Sequence, residues 1–464
     1  MHRSLVAAFT LSVLLLSSAV SLAQSPPQTI VVIMTDDQRY DTVAGMCGAV
    51  PCMPTVQAEL VAKGTTFTHG FIPLASCCPS RASILTGWYA HTHGVRGNTH
   101  GAEQFFGFGH EASTIAKALF DAGWKTLIAG KYLNGYDLDP DPGTVPHIAD
   151  GWSRWRVFEY PKYLTWRLVS GEWPMTSGVV TNETQYSTVR LFNEAALFIT
   201  SALPTDSLFL YVTPFAPHAS PKWEAQDNAK FAAFAQIGPA FNEADVSDKP
   251  LWVQNEPLWT QVEIDAHIKF QRGQLRTLQS VDRGIAQLLA VLASTGRLDT
   301  AYIVFIGGDN GFHWGEHRLK GKASPYEEAI RSTFVIRGPG VQQNVASAAL
   351  VVNADLPVTI AEWASVPFAR EGRSLQCLLT GGCASIRDQV LIEFAFGPGP
   401  FVGVRTADWK YIVQDSYEHR ANPSGTEELY DLVNDAYEMQ SQHANPAYVA
   451  VLAEMRARLA TWAP

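Results

Sequence analysis

The sequence predicts an α/β protein, with a large, mostly parallel β-sheet covered by helices on both faces and a small C-terminal α+β subdomain. Runs of β-branched and aromatic residues, typical of buried strands, lie at residues 29–34, 126–129, 207–213 and 301–306. Helical patterns lie between these runs. Because strands that alternate with helices form parallel sheets buried on both faces, this order indicates a layered α/β fold.

Two helical patterns are clearest between the predicted strands. The first covers residues 113–122 and ends at Gly123, and the second is longer and ends near Gly296. Apolar residues recur at helical spacing in the longer one: Leu275, Leu278, Val281, Ile285, Leu288, Leu289 and Leu292. Residues 234–259 are polar and irregular by contrast, which predicts a long surface loop or lid.

The pattern changes from about Asn353 onwards. Short strand-like pieces and a closing helix follow at residues 390–394, 401–405, 409–413 and 446–459. These pieces predict a C-terminal subdomain at residues 353–464, after a main domain at residues 24–352.

The N-terminus has the pattern of a cleavable signal peptide. Met1-His2-Arg3 gives a cationic start, an apolar stretch too short to span a bilayer follows, and Ser21 and Ala23 are small. We expect cleavage after Ala23, a signal peptide at residues 1–23 and a secreted or periplasmic protein without a membrane span. The alternative is a buried N-terminal helix.

Length and charge limit the class of protein. About 440 residues remain after the predicted cleavage, which is enough for one large core and a smaller unit. The formal net charge of −10 and the pI near 5.7 argue against a nucleic-acid partner, since nucleic-acid binders carry a basic face.

The six cysteines fall into two groups. Four of them form two pairs of near neighbours: Cys47 with Cys52, and Cys377 with Cys383. In an oxidising compartment each pair could close a small disulfide loop. Cys77 and Cys78 remain, and adjacent cysteines rarely bond each other because the ring is strained. Outside the cell a free thiol is prone to unwanted reactions unless it is buried or has a chemical role, so these two cysteines require an explanation.

Polar residues follow each of the four predicted strands of the main sheet. In chain order they are Asp36 and Asp37, then Lys131, then His218, then Asp309 and Asn310. Ligands of parallel sheets bind beyond the carboxyl ends of the strands. The sequence therefore predicts a site at that edge of the sheet.

Two of these polar motifs supply oxygen ligands. Asp36-Asp37 and Asp309-Asn310 together offer three carboxylates and an amide oxygen, a hard set that suits Ca²⁺ or Mg²⁺ rather than zinc. Taken separately, each motif is also typical of an exposed turn.

The segment Cys77-Cys78-Pro79-Ser80-Arg81, continued to Leu85-Thr86-Gly87, resembles the sulfatase signature. The competing interpretation is a helix N-terminus with a buried cysteine, since Pro79 suits a first helical turn. Both interpretations can be true together, because the N-terminus of a helix offers backbone N–H groups to an anion. The resemblance implies that a formylglycine-generating enzyme oxidises Cys77 to Cα-formylglycine, which acts as the nucleophile.

The resemblance also implies an alkaline-phosphatase-like fold and a set of site residues. The metal, Ca²⁺ rather than Mg²⁺, would be held by Asp36, Asp37, Cys77, Asp309 and Asn310. The implied catalytic residues besides Cys77 are Arg81, Lys131, His218 and Lys322. Lys322 would meet the bridging ester oxygen, where a donor helps an alkoxide to leave. His218 lies beside prolines and is otherwise typical of a plain surface histidine.

One motif departs from the commonest family pattern. Lys131-Tyr132-Leu133-Asn134 has no histidine two positions after the lysine, and it resembles the branch with N-acetylglucosamine-6-sulfatases and heparan endosulfatases. Asn134 is expected to take over part of that role in binding substrate. His313 is expected to line the pocket, and His317 is either a pocket residue or simply exposed.

The expected function is hydrolysis of an organic sulfate ester, with a sulfated sugar as the favoured substrate. One alternative is a phosphonate monoester or phosphodiester hydrolase that uses the same formylglycine and metal. Another is a catalytically silent homologue that binds calcium or carbohydrate, as would follow if Cys77 stayed a thiol.

Overall fold

The computed structural model describes residues 28–136, 146–175, 177–394, 400–415, 419 and 424–462. The predicted signal peptide at residues 1–23 lies outside the described residues and stays a prediction. None of the helices in the described ranges combines the length and the apolar character that a membrane span requires.

The strands are, in chain order, β1 Thr29–Met34, β2 Met46–Cys47, β3 Val50–Pro51, β4 Thr65–Phe71, β5 Lys125–Gly130, β6 Arg154–Tyr160, β7 Trp166–Glu172, β8 Val179–Glu183, β9 Leu208–Thr213, β10 Ala301–Ile306, β11 His313–Trp314, β12 Lys320–Gly321, β13 Arg331–Arg337, β14 Val345–Ser347, β15 Val351–Val352, β16 Val390–Phe394, β17 Phe401–Arg405, β18 Trp409–Val413 and β19 Glu427–Asp431.

The α-helices are α1 Cys77–Thr86, α2 Ala90–His93, α3 Gly101–Gly107, α4 Ile115–Asp121, α5 Ser187–Ser201, α6 Leu251–Gln254, α7 Gln261–Ser294, α8 Glu327–Ile330, α9 Asp355–Ala364, α10 Gln376–Leu379 and α11 Val449–Ala460. A π-helical turn forms at Val56–Val61, and short 3-10 turns form at Tyr40–Thr42, His110–Ser113, Ala225–Asp227, Leu298–Thr300 and Pro446–Tyr448.

The main sheet has a parallel centre with antiparallel neighbours on both sides. Its strand order is β14-β4-β13-β10-β1-β9-β5-β6-β7-β8, with β15 also paired to β4. The five strands from β10 to β6 run parallel, and β13, β4, β7 and β8 add antiparallel pairs. The predicted large, mixed and mostly parallel sheet is confirmed.

Helices bury both faces of this sheet. Side chains alternate along a strand, so Val31 and Ile33 of β1 enter one core cluster while Ile30, Val32 and Met34 enter another. Helices α5 and α7 pack on the first face, and α1, α4 and α9 pack on the second. The apolar run of β1 is continuous because both of its faces are covered.

The structure adds detail to two predicted segments. Helix α7 begins at Gln261, well before its apolar stripe, because Thr260 and Glu263 form a capping box that starts it. The predicted loop or lid at residues 234–259 contains α6 and buries Val253 and Trp259. The rest of this segment is mostly irregular and at the surface, as predicted, and the buried side chains attach it to the protein.

The C-terminal part forms an antiparallel sheet of β16, β17, β18 and β19, and α11 packs its buried Leu452, Met455 and Leu459 into the same core cluster. This confirms the predicted small α+β subdomain. Its boundary at residue 353 stays a prediction. The structure also joins both predicted cysteine pairs, Cys47 with Cys52 and Cys377 with Cys383.

Candidate active site

The polar residues that follow β1, β5, β9 and β10 meet at one edge of the sheet, because these strands run parallel. Backbone hydrogen bonds fix the loops to one another: Asp36 N donates to Ala216 O at 3.1 Å, and Asp309 N donates to Thr35 O at 3.1 Å. The structure therefore places these polar residues together at the carboxyl edge of the sheet, as the sequence predicted.

Helix α1 presents Cys77 to this edge as its first residue. The helix is buried throughout, and its N-cap residue Ser76 makes no capping hydrogen bond with its own side chain. Asn98 supplies that cap from outside the helix, since its Oδ1 accepts from Cys78 N at 2.9 Å and from Ser76 Oγ at 3.1 Å. Cys77 thus lies at a helix N-terminus, where partial positive charge favours an anion.

The Cys77 thiol lies between two carboxylates and an ammonium group. Its Sγ is 3.6 Å from Asp36 Oδ1, 4.0 Å from Asp37 Oδ1 and 2.6 Å from Lys322 Nζ. Burial, with a contribution from Asp309, raises the pKa of the Cys77 thiol to about 12. An unmodified thiol is therefore protonated at neutral pH and is a poor nucleophile.

Basic side chains pair with the carboxylates of the site. Lys131 Nζ is 2.7 Å from Asp36 Oδ2, Arg81 Nε is 2.7 Å from Asp309 Oδ2, and Lys322 is hydrogen bonded to Asp37. Arg81 also donates to the Lys131 carbonyl at 2.7 Å.

These cations keep the two adjacent carboxylates ionised. Burial alone would raise the pKa values of Asp36 and Asp37, but the surrounding cations together outweigh it, with Lys131 contributing most at Asp36 and Lys322 most at Asp37. Both pKa values therefore lie below the ordinary value for aspartate.

The donor set fits a hard divalent cation. Potential ligand atoms of Asp36, Asp37, Cys77 and His218 lie within 4.8 Å of one another. Asn310 donates from Nδ2 to Asp37 Oδ1 at 2.9 Å, while its buried Oδ1 has no hydrogen-bond partner among the described residues. A buried amide oxygen without a partner is costly, and a cation ligated by oxygen would satisfy it.

Both carboxylate oxygens of Asp309 already accept hydrogen bonds within the cluster. Its Oδ2 accepts from Arg81, and its Oδ1 accepts from Asp37 N at 3.2 Å. Its carboxylate therefore lies within the cluster, although it is not among the four residues whose ligand atoms group most tightly.

A cavity of about 260 Å³ opens beside the cluster. Lys131, Asn134 and His218 line it together with Asn98 and Tyr160. The Asn134 Oδ1 is buried without a hydrogen-bond partner among the described residues, as expected for a group that binds a ligand.

His313 and His317 do not line this cavity. Both are buried: a His313 ring nitrogen lies 2.6 Å from Ser324 Oγ, and His317 Nδ1 lies 2.7 Å from Glu243 Oε2. Burial lowers the pKa of both rings well below the ordinary value for histidine. Substrate binding by His313 stays a prediction that the geometry does not favour, and His317 is not exposed.

Sequence reasoning missed Asn98, Tyr163 and Thr213. The Tyr163 hydroxyl donates to the His218 carbonyl at 2.7 Å, and Thr213 Oγ1 donates to the Lys131 carbonyl at 2.7 Å. Thr213 ends a predicted strand and could have been found from that position. Asn98 and Tyr163 lie in loops, where no periodic pattern marks them.

Comparisons with known proteins agree with this geometry. The Sulfatase family model matches residues 28–366, and the model described as N-sulphoglucosamine sulphohydrolase, C-terminal, matches residues 315–463. The human N-acetylglucosamine-6-sulfatase is 34% identical over 378 residues, which cover 79% of this chain and 67% of that protein. The Drosophila melanogaster extracellular sulfatase SULF-1 homolog is 30% identical over 370 residues, which cover 77% of this chain and 32% of that protein.

A solved structure extends the likeness to the fold. A protein solved in complex with its substrate D-glucosamine-2-N,6-O-disulfate has a TM-score of 0.76 and 22% identity, covering 94% of this chain and 97% of that chain. This likeness shows the fold alone. The family match covers most of the chain, including the signature at Cys77 and the carboxylates around it, and on that ground the chain belongs to the sulfatase family.

Proposed function

We propose that this protein hydrolyses the sulfate ester of a sulfated glucosamine through a formylglycine made from Cys77. The observation that carries the proposal is the position of Cys77, at a buried helix start within 4.0 Å of two carboxylates and 2.6 Å from Lys322. The thiol itself is a weak nucleophile there, because burial raises its pKa. Oxidation to an aldehyde, which hydrates, places two hydroxyl groups where Sγ lies.

The two hydroxyls of the hydrate divide the reaction into two steps. One hydroxyl attacks sulfur, and the S–O bond to the sugar breaks as the alcohol leaves. The other hydroxyl then loses its proton, the C=O bond re-forms and sulfate departs. Water restores the hydrate, so the covalent intermediate carries its own means of release.

The surrounding cations have distinct parts in this scheme. Lys131 and His218, which line the cavity, bind the sulfate oxygens, and Arg81 holds the nucleophile in place through its contacts with Asp309 and the Lys131 carbonyl. Lys322 donates a proton to the bridging oxygen, where charge grows as the alcohol leaves.

Asp36, Asp37, Asp309 and Asn310 would hold the metal, together with the modified residue 77. We infer Ca²⁺, because it accepts several protein oxygens in flexible geometry, whereas Mg²⁺ usually keeps several of its waters. When bound, the ion supplies positive charge that stabilises the ionised hydroxyl and the sulfate.

Three features support a sulfated glucosamine as the substrate class. The Lys131–Asn134 motif resembles that of the glucosamine branch, the human relative is named N-acetylglucosamine-6-sulfatase, and the solved neighbour binds D-glucosamine-2-N,6-O-disulfate. The cavity adds Asn98, Asn134 and Tyr160 as polar contacts for a sugar ring.

The predicted signal peptide and the two disulfides support a secreted or periplasmic location. Maturation requires a formylglycine-generating enzyme as partner.

Two measurements test the proposal. Mass spectrometry of the peptide spanning residues 75–81 should show that Cys77 has lost sulfur and gained oxygen. Purified enzyme should release sulfate from N-acetylglucosamine 6-sulfate and from an aryl sulfate faster than it cleaves an aryl phosphodiester. Faster phosphodiester cleavage would identify the alternative hydrolase, and an intact Cys77 thiol without turnover would identify a silent binding homologue.

A further inference from the structure

The loop that carries Lys322 is held by the C-terminal sheet. Three consecutive residues just after Lys322 make buried hydrogen bonds to residues at or beyond β18. These bonds join Pro325 O to Lys410 Nζ (2.9 Å), Tyr326 Oη to Glu428 Oε2 (2.9 Å) and Glu327 N to Glu438 Oε2 (2.8 Å). The C-terminal residues thus hold this loop through two backbone groups and one side-chain hydroxyl.

The conformation of the loop needs such support. Ala323 has φ of 69°, in the left-handed region that a side chain with a Cβ disfavours. Such a residue stays in place only where its surroundings determine the backbone. Two contacts hold the backbone next to Ala323: Ser324 Oγ bonds the His313 ring, and the Lys410 ammonium bonds the Pro325 carbonyl.

Lys410 is a buried cation with several partners. Its side chain is fully buried on β18, where the ammonium forms an ion pair with Glu438 and lies 3.4 Å from Glu327 Oε1. Buried ion pairs seldom stabilise a fold more than apolar packing of the same volume would. Stability therefore does not readily explain why a charged side chain lies at position 410. The hydrogen bond from its ammonium to the Pro325 carbonyl of the loop gives a more specific explanation.

We propose that Lys410 is a positioning residue for Lys322. Its ammonium fixes the Pro325 carbonyl, and so fixes the short loop that holds the Lys322 amine 2.6 Å from Cys77 Sγ. The inference rests on the proposed function, in which Lys322 assists the leaving alcohol. A displacement of about 1 Å at a catalytic group can cost on the order of 100-fold in rate.

The test compares two buried lysines. Lys410→Met removes the contact with Pro325. Lys249→Met is the matched control, because Lys249 is equally buried and bonds Asp248 and the Met439 carbonyl, none of which belongs to the loop. The readout is the ratio of kcat/KM for N-acetylglucosamine 6-sulfate to kcat/KM for 4-nitrophenyl sulfate. Partial unfolding lowers both rates equally and leaves this ratio unchanged.

We expect Lys410→Met to lower the ratio by about tenfold or more, because only the sugar alkoxide depends on a placed donor. Lys249→Met should leave the ratio as in the parent. In a Lys322→Ala background, Lys410→Met should change the ratio no further, as expected for two residues that act through one group. If Lys410→Met does not fold, Tyr326→Phe removes the hydroxyl that joins the same loop to Glu428, and a ratio unchanged from the parent would then overturn the inference that the C-terminal sheet positions Lys322.

Equal slowing of both substrates by Lys410→Met, or an equal fall in the ratio for Lys249→Met, would overturn the inference while leaving the proposed function intact. A parent enzyme that releases sulfate from neither substrate would instead overturn the proposed function, and the inference with it.

Discussion

At the scale of single residues, Cys77 and Cys78 are adjacent but have different surroundings. The Cys77 sulfur faces Asp36, Asp37 and Lys322, whereas the Cys78 sulfur packs against Gly101, where a Cβ would lie only 2.2 Å away. Successive residues of a helix point in different directions, so one thiol reaches the site and the other enters the core. This arrangement supports the assignment of the modification to Cys77.

The first prediction separates the two cysteines. Cys77→Ala should abolish sulfate release because it removes the nucleophile. Cys78→Ala should retain turnover and lose only about 1 kcal/mol of stability from the small void. Sulfate release and thermal unfolding of both variants check this expectation. An active Cys77→Ala enzyme would contradict the assignment.

The second prediction concerns the leaving group at Lys322. If its ammonium gives a proton to the bridging oxygen, Lys322→Ala should slow hydrolysis of N-acetylglucosamine 6-sulfate by about 10²–10⁴-fold and that of an activated aryl sulfate far less. A nitrophenolate leaves without help, while a sugar alkoxide does not. Steady-state kinetics with both substrates decide the matter, and equal losses would point instead to sulfate binding as the role of Lys322.

At the scale of elements, the N-terminus of α1 is held by a residue outside the helix. Asn98 accepts from Cys78 N and from Ser76 Oγ, and it also lines the cavity. This one side chain therefore both caps the helix that begins at Cys77 and lines the cavity proposed to bind the substrate.

The third prediction follows from this cap. Asn98→Ala should lower the free energy of unfolding by about 1–2 kcal/mol, because it leaves a helix N–H without its acceptor. Asn98→Asp keeps the acceptor and should restore most of that stability, but its added charge should raise KM for an anionic substrate. Denaturant unfolding and kinetics measure the two effects separately. An unchanged unfolding free energy for Asn98→Ala would show that the cap contributes nothing.

At the scale of the whole molecule, the proposed metal would link segments that are far apart in sequence. Asp36 and Asp37 follow β1, and Asp309 and Asn310 follow β10, so one ion would join two neighbouring strands of the central sheet. A ligand that binds only the folded state stabilises it by mass action.

The fourth prediction is that chelation lowers both activity and Tm. At free Ca²⁺ about 100 times Kd, the bound ion contributes about 2.7 kcal/mol, and a chelator should remove that stabilisation. Asp37→Asn should show a lower Tm even with Ca²⁺ present, and added Ca²⁺ should restore the chelated parent. Calorimetry with Ca²⁺ and Mg²⁺ tests this, and a Tm that neither chelator nor ion changes would rule out the ligand set.

The sequence by itself determined the central architecture and the chemical centre. Strands β1 and β10 begin and end where their apolar runs do, and the polar residues after them lie together because parallel strands end at one edge. The signature at Cys77 coincides with the helix start, and it predicts the position of the nucleophile. These features can be predicted from short stretches of sequence. A strand buried on both faces has a continuous apolar run, and the residues of the signature are contiguous.

Only the tertiary structure decided which distant residues support that centre. Asn98 caps α1 from a loop, His313 is buried against Ser324, and Lys410 reaches the Lys322 loop from another sheet. These contacts join residues with no fixed spacing, so no periodicity in the sequence marks them. The physical reason is that a side chain becomes a cap or a positioning group only when packing brings its partner within hydrogen-bond distance.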